Sequence, residues 1–314
     1  MAPRSRPIRP VTLLALLVAA TLALAGCTTR AHKAGAGEGL HKGDRYVALG
    51  DSYTAAYLTG KLDTESGGCL RSLTNYPRQV ADKLGLELTD VSCGGATTAD
   101  VTAGQKPTWG AAVPPQIDAV GPDTRLVTIG LGGNDFNLFG RIIINCMFAA
   151  QQDPTGSPCT DIAAKNPRVW QVFDRIQQRL VRVVELVRKR APEARVLLVG
   201  YPQAFPATGG CAQFPIATGD MTLARDLLNG LNGAVEGAAS DSGASYVDVW
   251  TPSAGHDICS KDPWIAGARP ERTDGFAYHP YPEEQQLVAR QVLDVLAGSS
   301  DASAKTREAT PNSP

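Results

Sequence analysis

The sequence lacks the features of several common functional classes. Basic residues are not in excess, because 30 lysines and arginines face 31 aspartates and glutamates, whereas a nucleic-acid-binding domain usually carries a basic patch or stripe. No two cysteines have the CxxC spacing that is typical of zinc and redox sites. We therefore expect no nucleic-acid partner, and metal binding is the weaker interpretation of the seven cysteines.

The cysteine count is odd, and the start of the chain accounts for the extra one. Three arginines, an apolar run at 11–25 and small residues before Cys27 are the three parts of an export signal at 1–26. Residues 24–27 (LAGC) resemble the bacterial lipobox, whose cysteine is lipidated after cleavage. We therefore expect a protein that is secreted, or held at the outer face of the cell membrane only by a lipid on Cys27. An ordinary signal peptide is the alternative.

Six cysteines follow Cys27, and an even number in an exported protein predicts disulfide bonds. Six cysteines allow 15 pairings, and the residues alone leave the choice open. Residues 27–42 and 299–314 lack periodicity, which predicts a flexible tether and a disordered tail. Between them, residues 43–298 contain no linker or repeat, so we expect a single domain.

Short segments rich in valine, leucine and isoleucine alternate with helical patterns in this domain. The candidate strands are 46–49, 86–92, 126–131, 195–199 and 245–249, and the best candidate helices are 169–190, 223–235 and 283–296. Most of the strands lack strict alternation, as strands that are covered on both faces do. Strands alternating with helices predict an α/β fold with a parallel sheet.

The first three candidate strands end in residues that are suited to acyl transfer. They run into Gly-Asp-Ser at 50–52, Cys-Gly-Gly-Ala-Thr at 93–97 and Gly-Gly-Asn-Asp at 132–135. Ligands of open parallel sheets bind outside the carboxyl ends of the strands. A serine, glycine N–H groups and an asparagine would supply a nucleophile and oxyanion donors there. Each segment alone could be a turn or a helix cap, but three at consecutive strand ends predict an active site.

A serine nucleophile needs a base, and only four histidines are present. His32 and His41 lie in the expected tether, and His256 lies in a loop near Cys259. His279 directly precedes the last candidate helix and is the candidate base, with an ordinary surface turn as the alternative.

These segments resemble the four sequence blocks of the SGNH hydrolases, also called the GDSL lipase and esterase family. Ser52, Gly95, Asn134 and His279 match the family's four residues in order, over about residues 44–297. The resemblance implies a three-layer α/β/α fold with a five-stranded parallel sheet in the flavodoxin-like order 2-1-3-4-5. It also implies a serine ester hydrolase without metal or cofactor. Ser52 would attack, His279 would transfer the proton, and N–H groups of Ser52, Gly95 and Asn134 would hold the oxyanion; we expect a monomer.

Secreted bacterial lipases of this family look most similar, and several of them have three disulfides that join neighbouring cysteines. The resemblance therefore implies the following pairs: Cys69–Cys93, Cys146–Cys159 and Cys211–Cys259. One position departs from the family pattern, because many members have an aspartate three residues before the histidine, where this chain has Phe276. Some relatives orient the imidazole with the main-chain carbonyl at this position. We expect the carbonyl of Phe276 to do so, with Asp274 as the alternative.

The substrate is the least determined part of this prediction. A carbohydrate acetylesterase, a phospholipase or a thioesterase would use the same chemistry as a carboxylesterase or lipase. A non-catalytic surface lipoprotein that binds glycan or lipid is an alternative of another class, and a metallophosphatase based on Asp51 and residues 133–135 is a weaker one. The apolar run at 139–150 either lines an acyl pocket or packs in the core.

Overall fold

The structure, a computed structural model, describes the backbone of residues 39–308 and the side chains of residues 39–298. The expected export signal, Cys27, His32 and the end of the expected tail at 309–314 lie outside the described residues. In the part of the chain that is described, no helix is both long and apolar enough to cross a membrane.

The described residues form a five-stranded sheet. Its strands are β1 (Arg45–Gly50), β2 (Glu87–Asp90), β3 (Thr124–Gly130), β4 (Arg195–Val199) and β5 (Ser245–Val247). They lie in the order β2-β1-β3-β4-β5, and every neighbouring pair is parallel. The expected fold class and strand order are confirmed.

Helices and short helical turns connect these strands. The α-helices are α1 (Ser52–Ala55), α2 (Tyr76–Leu84), α3 (Asp100–Ala103), α4 (Leu138–Gly140), α5 (Cys146–Ala150), α6 (Pro158–Ala164), α7 (Arg168–Arg190), α8 (Met221–Ser242) and α9 (Pro282–Glu308). A π-helical turn spans Arg141–Asn145. The 3₁₀ turns are Thr64–Cys69, Gln116–Ala119, Asp135–Asn137, Thr218–Asp220 and Thr251–Ser253.

Hydrophobic cores lie on both faces of the sheet, because successive strand residues point to opposite faces. Val47 and Leu49 of β1 belong to the core that contains α7 and α8, whereas Tyr46 and Ala48 belong to the core that contains α2 and α9. Helix α7 buries one apolar stripe: Val172, Ile176, Leu180, Val183, Val184 and Val187. The result is the expected three-layer arrangement.

The structure differs from the sequence expectations at the edges of the domain. The outer strands β2 and β5 are short and partly exposed, because each pairs with a single neighbour. Leu40, within the expected tether, packs against the core of α2 and α9, and the Gly43 N–H donates to the Gly85 carbonyl at 2.8 Å. Helix α9 continues to Glu308, into the segment that was expected to be a disordered tail.

Three disulfide bonds join neighbouring cysteines, as the family resemblance implies. The bonds are Cys69–Cys93, Cys146–Cys159 and Cys211–Cys259. The first ties a 3₁₀ turn to the turn that follows β2, and the second joins α5 to α6. Each cross-links segments outside the sheet, and Cys69, Cys93, Cys146 and Cys159 are themselves buried in the core.

Candidate active site

Ser52 is the first residue of α1, directly after β1. Gly50 and Gly130, which end β1 and β3, are paired in register. A Cβ on either glycine would collide with the Thr54 side chain, so the strand ends can approach α1 only as glycines. Asp51, not Ser52, caps the helix. The Ser52 hydroxyl is not used for capping and makes no hydrogen bond among the described residues.

The turn after β2 brings Gly95 to the same edge of the sheet. The Cys93 N–H donates to the Gly50 carbonyl at 3.0 Å, and the disulfide of Cys93 fixes the start of the turn. Tyr57 packs so closely on Gly94 that a Cβ there would collide with its ring. Gly95 is exposed and has a φ of 76°, a left-handed conformation that favours glycine.

Asn134 follows β3 and contacts this turn. Its Nδ2 donates to the Ala96 carbonyl at 3.0 Å. The next residue, Asp135, is fully buried and accepts hydrogen bonds from the N–H and hydroxyl of Thr98 at 2.9 and 2.6 Å. Arg179 of α7 lies 2.7 Å from the same carboxylate. The segments after β2 and β3 are therefore one hydrogen-bonded unit.

His279 reaches this edge from the C-terminal part of the chain. Its ring centroid lies 5.4 Å from that of Tyr57 and 6.0 Å from that of Tyr53. The Tyr53 hydroxyl donates to the Tyr278 carbonyl at 3.0 Å. Because Tyr53 follows Ser52 and Tyr57 packs on the turn after β2, the structure brings the four predicted site residues to one place.

The carbonyl that faces the imidazole is not the one predicted. Nδ1 of His279 lies 2.8 Å from the carbonyl oxygen of Ala277, whereas the Phe276 carbonyl accepts the main-chain N–H of His279 at 2.9 Å. The third residue of this turn, Tyr278, has a φ of 62°, as the third residue of a type II turn does. The turn uses the Phe276 carbonyl for its own closure and directs the Ala277 carbonyl toward the ring.

The alternative partner of the histidine, Asp274, is engaged elsewhere. Both of its carboxylate oxygens accept hydrogen bonds from Arg272, at 2.9 and 2.6 Å. This pair holds the pKa of Asp274 below its usual range. Among the described residues, no carboxylate is hydrogen-bonded to His279.

Burial lowers the pKa of His279 to about 4, although the hydrogen bond with Ala277 acts in the opposite direction. The imidazole is therefore neutral at physiological pH, which is the form that accepts a proton. An Nδ1–H that donates to the Ala277 carbonyl leaves Nε2 free to act as the base.

The other described histidines have local partners. His256 stacks on Trp264 with ring centroids 3.6 Å apart, and its Nδ1 lies 2.8 Å from the Asp262 carbonyl. His41 lies 3.8 Å from the Asp44 carboxylate. Within the described residues, no three His, Cys, Asp or Glu side chains are grouped so that they could hold a metal ion.

Sequence reasoning missed two residues that hold the site together. The Tyr201 hydroxyl donates to Asp51 and accepts the N–H of Gly133. Buried Gln285 of α9 donates to the Tyr53 carbonyl at 3.0 Å, so it joins the histidine segment to α1. Tyr201 comes two residues after a predicted strand, a position that is itself a signal. Gln285 carries no such signal, because a glutamine in a helix usually faces solvent.

The apolar run at 139–150 is partly buried and partly exposed. Ile142 is buried in the core. The Tyr278 hydroxyl donates to Sδ of Met147 at 3.2 Å, which places Met147 beside the residue that precedes the candidate base. Ile144 and Phe148 are 50% and 63% exposed. Part of the run is core, and part continues from the site to the surface.

Comparisons with known proteins identify similar sequences and structures. A family model described as GDSL-like Lipase/Acylhydrolase matches residues 48–287. Lipase 2 of Streptomyces coelicolor is 40% identical over 80% of this chain and 85% of its own length. The crystal structure of phospholipase A1 from Streptomyces albidoflavus NA297 has a TM-score of 0.66 and 28% identity, over 82% of this chain and 99% of that one. An extracellular lipase structure from Streptomyces rimosus has a TM-score of 0.64 and 30% identity, over 81% and 99%.

Proposed function

The chain belongs to the GDSL-like lipase and acylhydrolase family and is a carboxylic ester hydrolase, and from this premise we propose that Ser52 and His279 hydrolyse the ester through an acyl-enzyme. The observation that carries the proposal is the meeting of the Ser52 turn, the Gly95 turn, Asn134 and His279 at one sheet edge.

The proposed reaction has two steps. Ser52 Oγ attacks the ester carbonyl while its proton passes to Nε2 of His279, and the leaving alcohol takes that proton as the bond to it breaks. Water then attacks the acyl-Ser52, with His279 again accepting a proton and returning it to Ser52. The N–H groups of Ser52 and Gly95 and the Nδ2–H of Asn134 stabilise the oxyanion, and one such donor is typically worth about 10²–10³ in rate.

The test of this mechanism is the turnover of a short-chain p-nitrophenyl ester by wild type and Ser52→Ala. We expect the variant to lose at least about 10³-fold in kcat and to lose labelling by a fluorophosphonate. Ser157→Ala is the control, because Ser157 precedes α6 without a side-chain capping bond. Ser52→Ala turnover near the wild-type rate would remove Ser52 as the nucleophile. An unlabelled, inactive wild type would favour a non-catalytic binding lipoprotein.

We propose a lipid ester as the substrate class. Relatives of this chain are a lipase and a phospholipase A1, and the apolar surface at Met147, Ile144 and Phe148 begins beside the site. An acyl chain attached to Ser52 has an apolar path along this surface. A polar acetylated carbohydrate has no comparable need for it.

We further propose that residues 1–26 direct export and that Cys27 carries a lipid, with the residues that follow as a tether. The sequence 24–27 and the extracellular lipase relative support this proposal. In a bacterial host that processes lipoproteins, Cys27→Ser should move the protein from the membrane fraction to the medium. Equal release of wild type and variant would favour an ordinary signal peptide.

A further inference from the structure

Asp51 is fully buried at the active-site edge, and the proposed reaction does not use it. Its Oδ1 accepts the Tyr53 N–H at 2.9 Å, and its Oδ2 accepts the Tyr201 hydroxyl at 2.6 Å. Its own N–H donates to the Gly130 carbonyl at 2.9 Å. The carboxyl therefore holds both sides of the turn that carries Ser52.

Tyr201 extends this connection to the oxyanion side of the site. Its hydroxyl accepts the Gly133 N–H at 3.0 Å, and Gly133 precedes Asn134. The side chain of Asn232 in α8 accepts the Tyr201 N–H at 2.8 Å and donates to the Tyr201 carbonyl at 3.2 Å. The ring packs edge-on against Tyr53, with centroids 5.4 Å apart. The hydroxyl is thus held between the segments that follow β1 and β3.

The charged and titratable surroundings of Asp51 favour its neutral form. No lysine, arginine or histidine of the described residues forms an ion pair with it. Asp135 repels it from the segment after β3, Tyr76 faces it from α2, and Glu284 of α9 lines the small cavity beside Tyr201. Burial raises the pKa of Asp51 to about 7, against the hydrogen bonds that stabilise the carboxylate.

Building on the acyl-enzyme mechanism, we propose that the ionised carboxyl of Asp51, held by Tyr201, positions the Ser52 N–H and the Asn134 side chain relative to each other. The carboxylate accepts both of its hydrogen bonds. A protonated Oδ2 would instead donate to the Tyr201 oxygen and leave the Tyr201 proton without an acceptor. Protonation therefore weakens the link between the oxyanion donors, and hydrolysis slows.

A specific pH dependence follows from this proposal. Full activity depends on ionised Asp51, so kcat falls to a lower level as the pH drops through about 7. Burial lowers the pKa of His279 to about 4, so we expect the candidate base to become protonated at a lower pH than Asp51.

The experiment measures kcat and KM for a short-chain p-nitrophenyl ester against pH, per active site titrated with a fluorophosphonate. We expect a wild-type midpoint near pH 7. Tyr201→Phe should raise this midpoint by about one unit, since it removes a hydrogen bond to the charged form, and should lower kcat about tenfold or more with little change in KM. Asp51→Asn should lose the neutral midpoint and keep a reduced kcat that stays level until His279 protonates near pH 4.

Tyr46→Phe is the matched control. Tyr46 is also fully buried, and its hydroxyl forms a hydrogen bond with the Thr128 hydroxyl at 2.7 Å. Removing the Tyr46 hydroxyl therefore removes a comparable buried hydrogen bond. It should keep the wild-type midpoint. A Tyr201→Phe midpoint equal to that of wild type would overturn the proposal, and this readout does not depend on how much of the variant folds. Activity of Ser52→Ala, measured separately, concerns the proposed function instead.

Discussion

At the scale of single residues, the imidazole of His279 is held by a carbonyl group without a carboxylate. The Ala277 carbonyl can select the tautomer, but it carries no full charge to stabilise the imidazolium that would form in the proposed reaction. Burial without a counter-charge also lowers the pKa of His279 to about 4. Under the proposed mechanism, a neutral base is therefore available at neutral pH, and stabilisation of the oxyanion would supply more of the rate.

The first prediction concerns Asp274. We expect Asp274→Asn to keep kcat/KM within about threefold of wild type, because a catalytic triad loses about 10⁴ in kcat from the same change and Asp274 bonds only Arg272 and its own neighbours. The measurement is ester hydrolysis from pH 5 to 9. A loss of about 10³-fold or more in a folded variant would show that Asp274 moves onto His279 during catalysis.

At the scale of elements, we expect the segment that runs from α4 through the π-helical turn to α5 to influence which acyl groups reach the site. Its inner side packs in the core through Ile142, and Met147 contacts Tyr278. The Cys146–Cys159 disulfide holds the segment to α6. An apolar surface of this kind discriminates between acyl chains of different length, because each added methylene buries more apolar area.

The second prediction concerns Met147 and the acyl chain length of the ester. Burial of one methylene is worth about 0.8 kcal/mol, so Met147→Ala should lower kcat/KM for dodecanoyl esters about tenfold while butanoyl esters change little. Leu186→Ala is the control, because Leu186 is an exposed apolar residue of α7. A chain-length series of p-nitrophenyl esters measures the effect. Equal losses for short and long esters would contradict the acyl path.

At the scale of the whole molecule, the packing of α9 on the sheet buries the carboxyl group of Glu284. Glu284 is 2% exposed, and its Oε2 accepts a hydrogen bond from Gln285 at 2.6 Å. Burial raises the pKa of Glu284 to about 8. Because the folded state binds this proton more tightly than the unfolded chain, the group stabilises the fold at low pH. That contribution is lost as the pH rises from about 4.5 to about 8.

The third prediction is that Glu284→Gln changes the pH dependence of stability. The unfolding free energy of wild type should decline relative to the variant between pH 5 and about 8.5, measured by urea unfolding at several pH values. Glu283→Gln is the control, because it also removes a carboxylate from the first turn of α9. It should not reproduce the change in pH dependence. Parallel curves for wild type and Glu284→Gln would mean that Glu284 is not buried as an acid in solution.

Much of the architecture could be predicted because it depends on local sequence. Apolar strands alternating with helical stripes determine a parallel α/β sheet, since each element must bury its apolar surface. The residues at the first three strand ends determine the candidate site, because the carboxyl ends of parallel strands meet at one edge. The two edge strands were predicted at the correct places but too long, since the end of an edge strand depends on its pairing with a single neighbour.

Only the folded structure decided which hydrogen-bond partners the site residues have, whether those partners lie nearby or far away in the chain. The turn closed by Phe276 and His279, with its positive φ at Tyr278, selects the Ala277 carbonyl, and no spacing rule distinguishes it from its neighbour. The burial of Asp51 against Tyr201 joins residues 150 positions apart. The sequence by itself determined the chemical groups at the site and the fold that gathers them. Their hydrogen-bond partners and proton affinities depend on packing, because burial and distance exist only once the chain has folded.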